Sequence, residues 1–234
     1  MKLAWTTLTV PKAGHTAAEN EDALAVSKET GRVAVCDGAS EGWGSALWAR
    51  HLADALVTMP AQPQTFSAWL AKVRQSAVTI APPVVSWYAE TKQADGAFAT
   101  LLSVVFSPGK YHAVAVGDTS LFHLRDDKLV ARFPVEKSSD FGNQPALVGS
   151  AGGEIEPDWF AGRCESGDRF YLLSDALAEW FLRNAEGGEC PWQVVDAVTS
   201  AADAQAEFAD WVQSLRAKRT MKNDDTTLVR VRIL

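Results

Sequence analysis

Residues 98–133, FATLLSVVFSPGKYHAVAVGDTSLFHLRDDKLVARF, decide the fold class because their apolar side chains recur with a period close to two. Turn sequences interrupt the pattern at Ser107-Pro108-Gly109, Gly117-Asp118 and Asp126-Asp127. Turns this short join antiparallel strands directly, whereas parallel strands need a long crossover. The stretch therefore predicts a meander of four strands over residues 98–106, 110–116, 120–125 and 128–133.

Helical spacing appears on both sides of this meander. Trp48, Leu52 and Leu56 share one face of a helix predicted from about residue 43, and residues 66–80 repeat the pattern. A long third helix is predicted from Pro191 to Leu215, and residues 134–165 are predicted to be an irregular surface flap. The N-terminal segment is expected to form an edge strand. Further strands are expected at residues 32–36, 169–173 and 226–234. Strands and helices in separate blocks favour an α+β fold with helices packed outside antiparallel sheets.

The composition excludes several classes of protein. The 234 residues suit one domain or a compact pair, and 47% of them are hydrophobic. A net charge of −7 argues against a nucleic-acid partner. The chain has no apolar run near the ~20 residues that a membrane-spanning helix needs. Its three cysteines show no paired spacing, so we expect a reducing, cytoplasmic location.

Acidic side chains stand where the predicted strands end or begin. Asp37 ends the run VAVC, Asp175 ends the run YLLS, and Asp224 precedes the final strand. If the final strand runs antiparallel to the other two, these carboxylates meet at one edge of a sheet. Taken singly, each of these residues is also typical of a turn or a helix cap. The remaining acidic residues at such places are Glu21, Asp22, Asp118 and Asp225.

Carboxylates packed this closely repel one another, and some of them would have to bind protons. A divalent cation removes that conflict. Ligands that are all oxygen atoms suit Mg²⁺ or Mn²⁺. Two such ions ~4 Å apart can activate a water molecule and hold a phosphoryl group. The aspartates therefore predict a metal site that acts on phosphate esters.

Six short blocks, in this order along the chain, resemble the motifs of the PP2C (PPM) family of metal-dependent protein Ser/Thr phosphatases. They are residues 19–23 (ENEDA), 33–39 (VAVCDGA), 96–100 (GAFAT), 116–120 (VGDTS), 172–175 (LLSD) and 223–229 (NDDTTLV). The blocks extend over nearly the whole chain, and its shortness resembles bacterial members. The resemblance implies one phosphatase domain over residues 1–234. Its fold would be an α+β four-layer α-β-β-α sandwich with two central antiparallel sheets.

The resemblance also implies roles for individual residues. By position, Asp37 would bridge two metal ions, and the Gly38 carbonyl would bind one of them. Asp175 and Asp224 would hold the other ion, so that these three aspartates form the catalytic centre. Phosphoserine or phosphothreonine would be hydrolysed by direct attack of a water that the metals activate, without a phosphoenzyme.

The resemblance identifies two further metal ligands less specifically. The acidic ligand of the first block falls on Glu21 or Asp22, and Asp118 matches a residue linked to a weaker third metal site. The implied cofactors are two Mg²⁺ or Mn²⁺ ions, or three if that last site is filled. His15 is the nearest upstream histidine that could protonate the leaving alkoxide. The implied partners are a phosphorylated protein substrate and a Ser/Thr kinase, with no membrane partner and with a monomeric chain.

The chain departs from the family pattern at three positions. Ala176 follows Asp175 where the family usually has glycine, and Asp225 stands where asparagine is common. The arginine expected five residues before Asp22 is Ala17, so the usual phosphate-binding guanidinium is missing. The implied metal ligands are all present, which favours an active enzyme.

Two other functions remain open from the sequence. Gly38-Ala39-Ser40-Glu41-Gly42 matches G-x-S-x-G between a strand and a helix, which would make Ser40 the nucleophile of a serine hydrolase. The required histidine would then be His112 or His123, and both fall inside strand patterns. Alternatively, the chain is a non-catalytic regulatory domain of the same fold.

The implied metal-bridging role of Asp37 leads to a first prediction. Asp37→Asn should lower the rate of phosphoester hydrolysis roughly 100-fold or more, because a bridging charge is removed. Asp126→Asn, a turn residue with no assigned role, should leave the rate unchanged. Steady-state kinetics of the two folded variants provide the check, and equal rates would refute the assignment.

Overall fold

Two five-stranded antiparallel sheets lie at the centre of the computed structural model. The structure describes residues 1–39, 44–77, 96–142 and 144–234. In chain order, the strands are β1 (Leu3–Val10), β2 (Asp22–Ser27), β3 (Arg32–Asp37), β4 (Phe98–Ala99), β5 (Leu101–Ser107), β6 (Lys110–Val116), β7 (Ser120–Arg125), β8 (Lys128–Phe133), β9 (Val148–Gly149), β10 (Asp158–Arg163), β11 (Arg169–Leu173) and β12 (Thr226–Ile233).

The two sheets draw their strands from different parts of the chain. The first sheet has the order β1-β12-β11-β7-β8, and the second has the order β10-β6-β5-β3-β2. Strands β4 and β9 form a small separate pair. As predicted, the N-terminal strand lies at an edge, where it pairs with the C-terminal strand from Leu3 opposite Ile233 to Val10 opposite Thr226.

Helices cover the outer faces of both sheets. The helices within the described residues are α1 (Ser45–Thr58), α2 (Phe66–Ala77), α3 (Asp175–Glu186), α4 (Pro191–Thr199) and α5 (Ala204–Ala217). The first two pack on the second sheet through side chains such as Trp48 and Leu70. The other three pack on the first sheet through side chains such as Phe181 and Val212. The predicted α-β-β-α sandwich is confirmed.

A third apolar core separates the sheets. Val104 of the second sheet and Leu172 of the first both have no exposed surface, and they belong to this inner cluster. The Phe170 ring packs edge-on against Phe106 and Tyr111, with ring centroids 4.9 and 4.8 Å away. Side chains on opposite faces of each sheet therefore enter different cores. The near-continuous burial of strands such as β5 and β7 follows from this double coverage.

The predicted meander is divided between the two sheets. Strand β6 belongs to the second sheet and β7 to the first, so Gly117-Asp118 is a crossing between sheets and not a hairpin turn. Gly117 has φ +96°, and a Cβ there would lie 2.7 Å from the Ala146 carbonyl oxygen. Only glycine therefore fits at this crossing. The predicted strand 98–106 is interrupted at Thr100 between β4 and β5.

Two other predictions are corrected. The long helix predicted from Pro191 is two helices, because the Asp203 carboxylate accepts a hydrogen bond from the Ala206 N–H at 3.1 Å and starts a new one. The segment predicted as an irregular flap contains β10, which pairs with β6 at an edge of the second sheet.

The ends of two predicted helices, at residues 43 and 78–80, lie outside the described residues. Within the described ranges, we find no helix with the length and apolar character needed to cross a membrane.

Candidate active site

Asp22 and Asp37 face each other at the same end of two neighbouring strands. Asp22 is the first residue of β2 and Asp37 the last residue of β3, and their Cα atoms are paired in the antiparallel register. Thr100 fixes the Asp37 backbone from the other side. Its hydroxyl accepts a hydrogen bond from the Asp37 N–H at 2.9 Å, and its own N–H donates to the Asp37 carbonyl at 2.8 Å. The two carboxylates therefore project from a fixed backbone.

Gly38 directly follows β3 and is tightly surrounded by the backbone of other segments. Its N–H donates to the Glu21 carbonyl oxygen at 3.2 Å. A Cβ at position 38 would lie 2.8 Å from that oxygen and 3.0 Å from the Ser45 carbonyl group. Glycine is required because the backbone entering β2 and the start of α1 both approach here.

Asp118 reaches the site from the crossing between the sheets. The residue is 6% exposed and follows Gly117. Thr119, next in the chain, has its hydroxyl 2.6 Å from that of Thr100, which also holds Asp37. The crossing and the end of β3 are thus joined through one buried threonine pair.

Asp175 and Asp224 come from the first sheet. Asp175 is the first residue of α3, just after β11, and Asp224 lies just before β12. The two strands pair up to Leu173 opposite Leu228. Beyond that pair, Ser174 and Thr227 exchange hydrogen bonds, with the Thr227 N–H donating to the Ser174 hydroxyl at 2.9 Å. The two aspartates consequently flank the same strand ends.

The candidate site lies between the two sheets. Asp22 and Asp37 come from the second sheet, whereas Asp175 and Asp224 come from the first. The prediction that the carboxylates meet at one edge of a single sheet is therefore wrong. The end of β3 lies near the start of β12 because the sheets are stacked face to face, and the inner core holds that stacking.

Burial and mutual repulsion make these carboxyl groups hard to ionise. Burial raises the pKa of Asp22 to about 8, and the nearby Asp175 and Asp225 charges contribute to the rise. Burial likewise raises the pKa of Asp175 to about 7, with further contributions from Asp118 and Asp224.

The pKa of Asp37 is also raised well above its usual value. Burial is the largest cause, and repulsion from surrounding carboxylates adds to it. Those carboxylates belong to Asp22, Asp175, Asp224 and Asp118. Asp37 is thus the residue on which the charges of both sheets act together, which is why its position matters most.

Several carboxylate oxygens lack a hydrogen-bond donor. Both oxygens of Asp22 and Oδ1 of Asp118 are buried and unpaired. The hydroxyls of Ser174 and Thr227 lower the pKa of Asp22, but neither makes a hydrogen bond of normal geometry to it. Buried polar atoms in folded proteins are normally paired. Such a set of unpaired, acceptor-only oxygens fits a hard divalent cation, which prefers oxygen ligands.

The carboxylates are not arranged as a ready-made coordination shell. In the described part of the chain, no three His, Cys, Asp or Glu side chains converge closely enough to hold a metal ion. Asp175 and Asp224 instead direct one oxygen each to a neighbouring backbone N–H, at 2.5 Å and 2.9 Å.

The structure distinguishes the two acidic residues of the first block. The Glu21 carboxylate is partly exposed and lies 3.4 Å from the Lys12 ammonium. The Asp22 carboxylate is buried, faces Asp37 and lacks a donor. His15 is exposed on the preceding loop, where its backbone N–H donates to the Lys12 carbonyl at 3.0 Å. Of these residues, Asp22 is the one that the fold directs into the site.

Asp225 has a role that the sequence analysis missed. Its carboxylate is buried and accepts two backbone hydrogen bonds at 2.7 Å, from the N–H groups of Lys12 and Glu21. It therefore ties the start of β12 to the segment that leads into Asp22. An asparagine has only one acceptor oxygen in its side chain, so aspartate suits this double contact better. The departure from the usual asparagine was the signal that could have revealed it.

The residues of the serine-hydrolase alternative are only partly described. Ser40 lies outside the described residues, and His112 is exposed. His123 is buried, with Nε2 2.9 Å from Asp168 Oδ2 and Nδ1 3.2 Å from the Tyr111 hydroxyl. Asp168 precedes β11, whereas Asp175 follows it. His123 thus contacts groups at the end of the sheets away from the aspartates.

Comparison with known proteins decides the family. A family model described as protein phosphatase 2C matches residues 12–224. The chain belongs to the protein phosphatase 2C family. A search of curated proteins with the sequence found no match.

Solved structures of this fold cover essentially the whole chain. The Mycobacterium tuberculosis serine/threonine phosphatase PstP/Ppp has a TM-score of 0.68 at 18% identity, and the match covers 100% of this chain and 99% of that one. PppA, a regulatory component of T6SS in Pseudomonas aeruginosa, has a TM-score of 0.66 at 19% identity. That match covers 100% of this chain and 99% of PppA. The catalytic domain of PstP in complex with two manganese ions has a TM-score of 0.62 at 21% identity. That match covers 98% of this chain and 97% of the PstP domain.

The raised pKa values lead to a prediction for the metal-free protein. The folded state keeps a proton on Asp22 up to about pH 8, whereas the unfolded chain releases it near pH 4. The folded state therefore binds more protons in this window, and its stability falls as the pH rises. We expect the melting temperature in EDTA to fall as the pH rises through this window to about pH 8, and to level off above it.

Asp22→Asn provides the control for this measurement, because it removes one of the titrating groups and should make the fall smaller. The pKa of the buried His123 is lowered, so its effect is confined to lower pH and is shared by both proteins. A wild-type melting temperature that falls with pH no more steeply than that of the variant would contradict the account.

Proposed function

We propose that this chain is a metal-dependent protein Ser/Thr phosphatase that hydrolyses phosphoserine and phosphothreonine. The observation that carries the proposal is that Asp22, Asp175 and Asp224, from both sheets, lie close enough to Asp37 for their charges to raise its pKa. Buried carboxylates with unpaired oxygens and raised pKa values are typical of functional sites. Membership of the protein phosphatase 2C family agrees with this chemistry.

The residues proposed to hold two divalent cations are those that the family resemblance implies, and their positions in the structure support this. Asp37 would bridge the two ions, and the Gly38 carbonyl would bind one of them. Asp22 would complete one metal site, and Asp175 and Asp224 would complete the other. When bound, Mg²⁺ or Mn²⁺ lowers the pKa of a bound water and offsets the charge of the phosphoryl group. The two manganese ions in the similar PstP catalytic domain support the choice of metal.

Two further acidic residues are assigned different roles. Asp118, with its buried unpaired oxygen, would hold a weaker third ion. Glu21 would stay outside the coordination shell, because its carboxylate already faces Lys12.

The protein's own groups fix the segments that carry these ligands. Thr100 holds the Asp37 backbone, and Asp225 holds the segment before Asp22. Arg216 donates hydrogen bonds to the Asp224 carbonyl and, at 3.0 Å, to the Thr226 hydroxyl, which fixes the start of β12. His15, exposed on the loop before the first block, is the proposed donor of a proton to the leaving alkoxide.

The setting of the enzyme is also a proposal. Residues 1–234 would act as one monomeric phosphatase domain, on a phosphorylated protein that a Ser/Thr kinase supplies. Cys36, Cys164 and Cys190 are free, which suits a reducing cytoplasmic location.

Metal titration of phosphatase activity tests this function. Release of p-nitrophenol from p-nitrophenyl phosphate, and of phosphate from phosphoserine and phosphothreonine peptides, should require Mn²⁺ or Mg²⁺ and should stop in EDTA. Full activity in chelator would contradict the metal-dependent mechanism. No hydrolysis at any metal concentration would favour the non-catalytic alternative.

Asp22→Asn and Glu21→Gln form a matched pair for the ligand assignment. Each replaces one carboxylate by an amide in the same block. We expect Asp22→Asn to raise the Mn²⁺ concentration for half-maximal activity at least tenfold, which is the change expected when a charged ligand is lost. Glu21→Gln should leave it nearly unchanged, and the reverse ranking would assign the ligand to Glu21.

A further inference from the structure

A cleft of about 330 Å³ lies between α3 and the loop that joins α5 to β12. The loop contains Asp224 near its end, and α3 begins at Asp175. The cleft therefore opens beside the two carboxylates that the first sheet contributes to the candidate active site. We call this region the basic cleft and define it by four of its lining residues, Glu179, Arg183, Arg219 and Lys222.

The helix geometry sets the distance of the basic cleft from the site. Glu179 and Arg183 are four and eight residues beyond Asp175, so they lie near the same face of α3, at roughly 6 and 12 Å along its axis. Lys222, on the loop, is close enough to affect the site directly. Burial raises the pKa values of Asp118 and Asp175, and the Lys222 ammonium partly opposes that rise.

The basic cleft carries an excess of positive charge on a protein whose net charge is −7. Glu179 is its one acidic residue, and it lies between two cations, with Arg183 Nη1 at 3.1 Å and Lys222 Nζ at 3.4 Å. The Arg219 side chain makes no ion pair or hydrogen bond with any described residue. At least one guanidinium is therefore available to an incoming anion.

Arg219 also occupies a backbone conformation that favours glycine. It has φ +55° at the C-terminal end of α5, where the Thr220 N–H donates to the Leu215 carbonyl at 3.0 Å and closes the helix. Helices usually end in this way at glycine or asparagine. An arginine here costs stability that a glycine would not.

We propose that the basic cleft binds an anionic side chain of the substrate protein, a carboxylate or a second phosphate, close in sequence to the phosphorylated residue. This inference rests on the proposed function. An extended peptide advances ~3.4 Å per residue, so 6 to 12 Å corresponds to roughly two to four residues from the scissile phosphate. The preferred substrates would be phosphoserine or phosphothreonine segments with acidic neighbours at that spacing.

The contact would act mainly on substrate binding. The anion is remote from the reacting phosphorus, and its charge does not change during the reaction. Such a contact lowers KM for the favoured peptide and leaves kcat similar. It should also weaken as ionic strength rises, because the basic cleft is open to solvent.

Phosphothreonine peptides that differ only at these neighbouring positions test the proposal. Four peptides are compared with the Mn²⁺-supplemented full chain, carrying aspartate, a second phosphothreonine, alanine or lysine about three residues from the scissile group. We expect kcat/KM to be roughly fivefold or more higher for the two anionic peptides than for the alanine peptide. The lysine peptide should be the poorest. A gain with only one anionic peptide would identify which anion the basic cleft accepts.

Three substitutions locate the effect. Arg219→Glu should abolish or reverse the preference for anionic peptides, and Arg219→Lys should retain much of it, because the charge is kept. Arg163→Glu makes the same charge change at an exposed position on β10, at the end of the sheet away from the aspartates, and should leave the preference intact.

The outcomes separate this inference from the proposed function. Equal kcat/KM for all four peptides, or equal loss of preference in Arg219→Glu and Arg163→Glu, would overturn the role of the basic cleft alone. Absence of phosphate release from every peptide at all Mn²⁺ concentrations would overturn the proposed function together with the inference.

Discussion

The repulsion between buried carboxylates at the junction of the two sheets is the constraint on which the rest of the structure depends. Asp37 experiences the charges of aspartates from both sheets, and its pKa is raised well above the usual value. No local motif brings these groups together. They meet because an apolar core stacks the sheets face to face and helices cover the outer faces. The burial of those three cores must therefore outweigh an arrangement that is unfavourable without cations.

Hydrogen bonds to the backbone around the aspartates, more than bonds to their carboxylates, hold these residues in place. Thr100 holds the backbone of Asp37, Asp225 accepts two N–H groups from the segment before Asp22, and strand pairing fixes the remaining ends. Both carboxylate oxygens of Asp22 and Oδ1 of Asp118 have no donor. The backbone positions of the aspartates are therefore fixed, whereas some of their carboxylate oxygens are free to bind a cation.

The sequence revealed the strands and the acidic residues, but not how the strands are shared between sheets. Alternation in residues 98–133 predicted the strands of the meander, yet the same pattern is compatible with one sheet or two. The crossing at Gly117 depends on close contact with Ala146 and Thr100, which are distant in sequence. The choice between Glu21 and Asp22, like the role of Asp225, also depends on tertiary contacts. Local periodicity carries no information about such contacts.

Proton release on metal binding tests the central claim most directly, since a cation can bind only after the protonated carboxyl groups lose their protons. Calorimetric titration with Mn²⁺ at about pH 7, in two buffers of different ionisation enthalpy, measures this release. The account predicts heats that differ between the buffers, with release of protons from the wild-type protein and less release from Asp22→Asn. Binding with equal heats in both buffers, or release unaffected by Asp22→Asn, would contradict it.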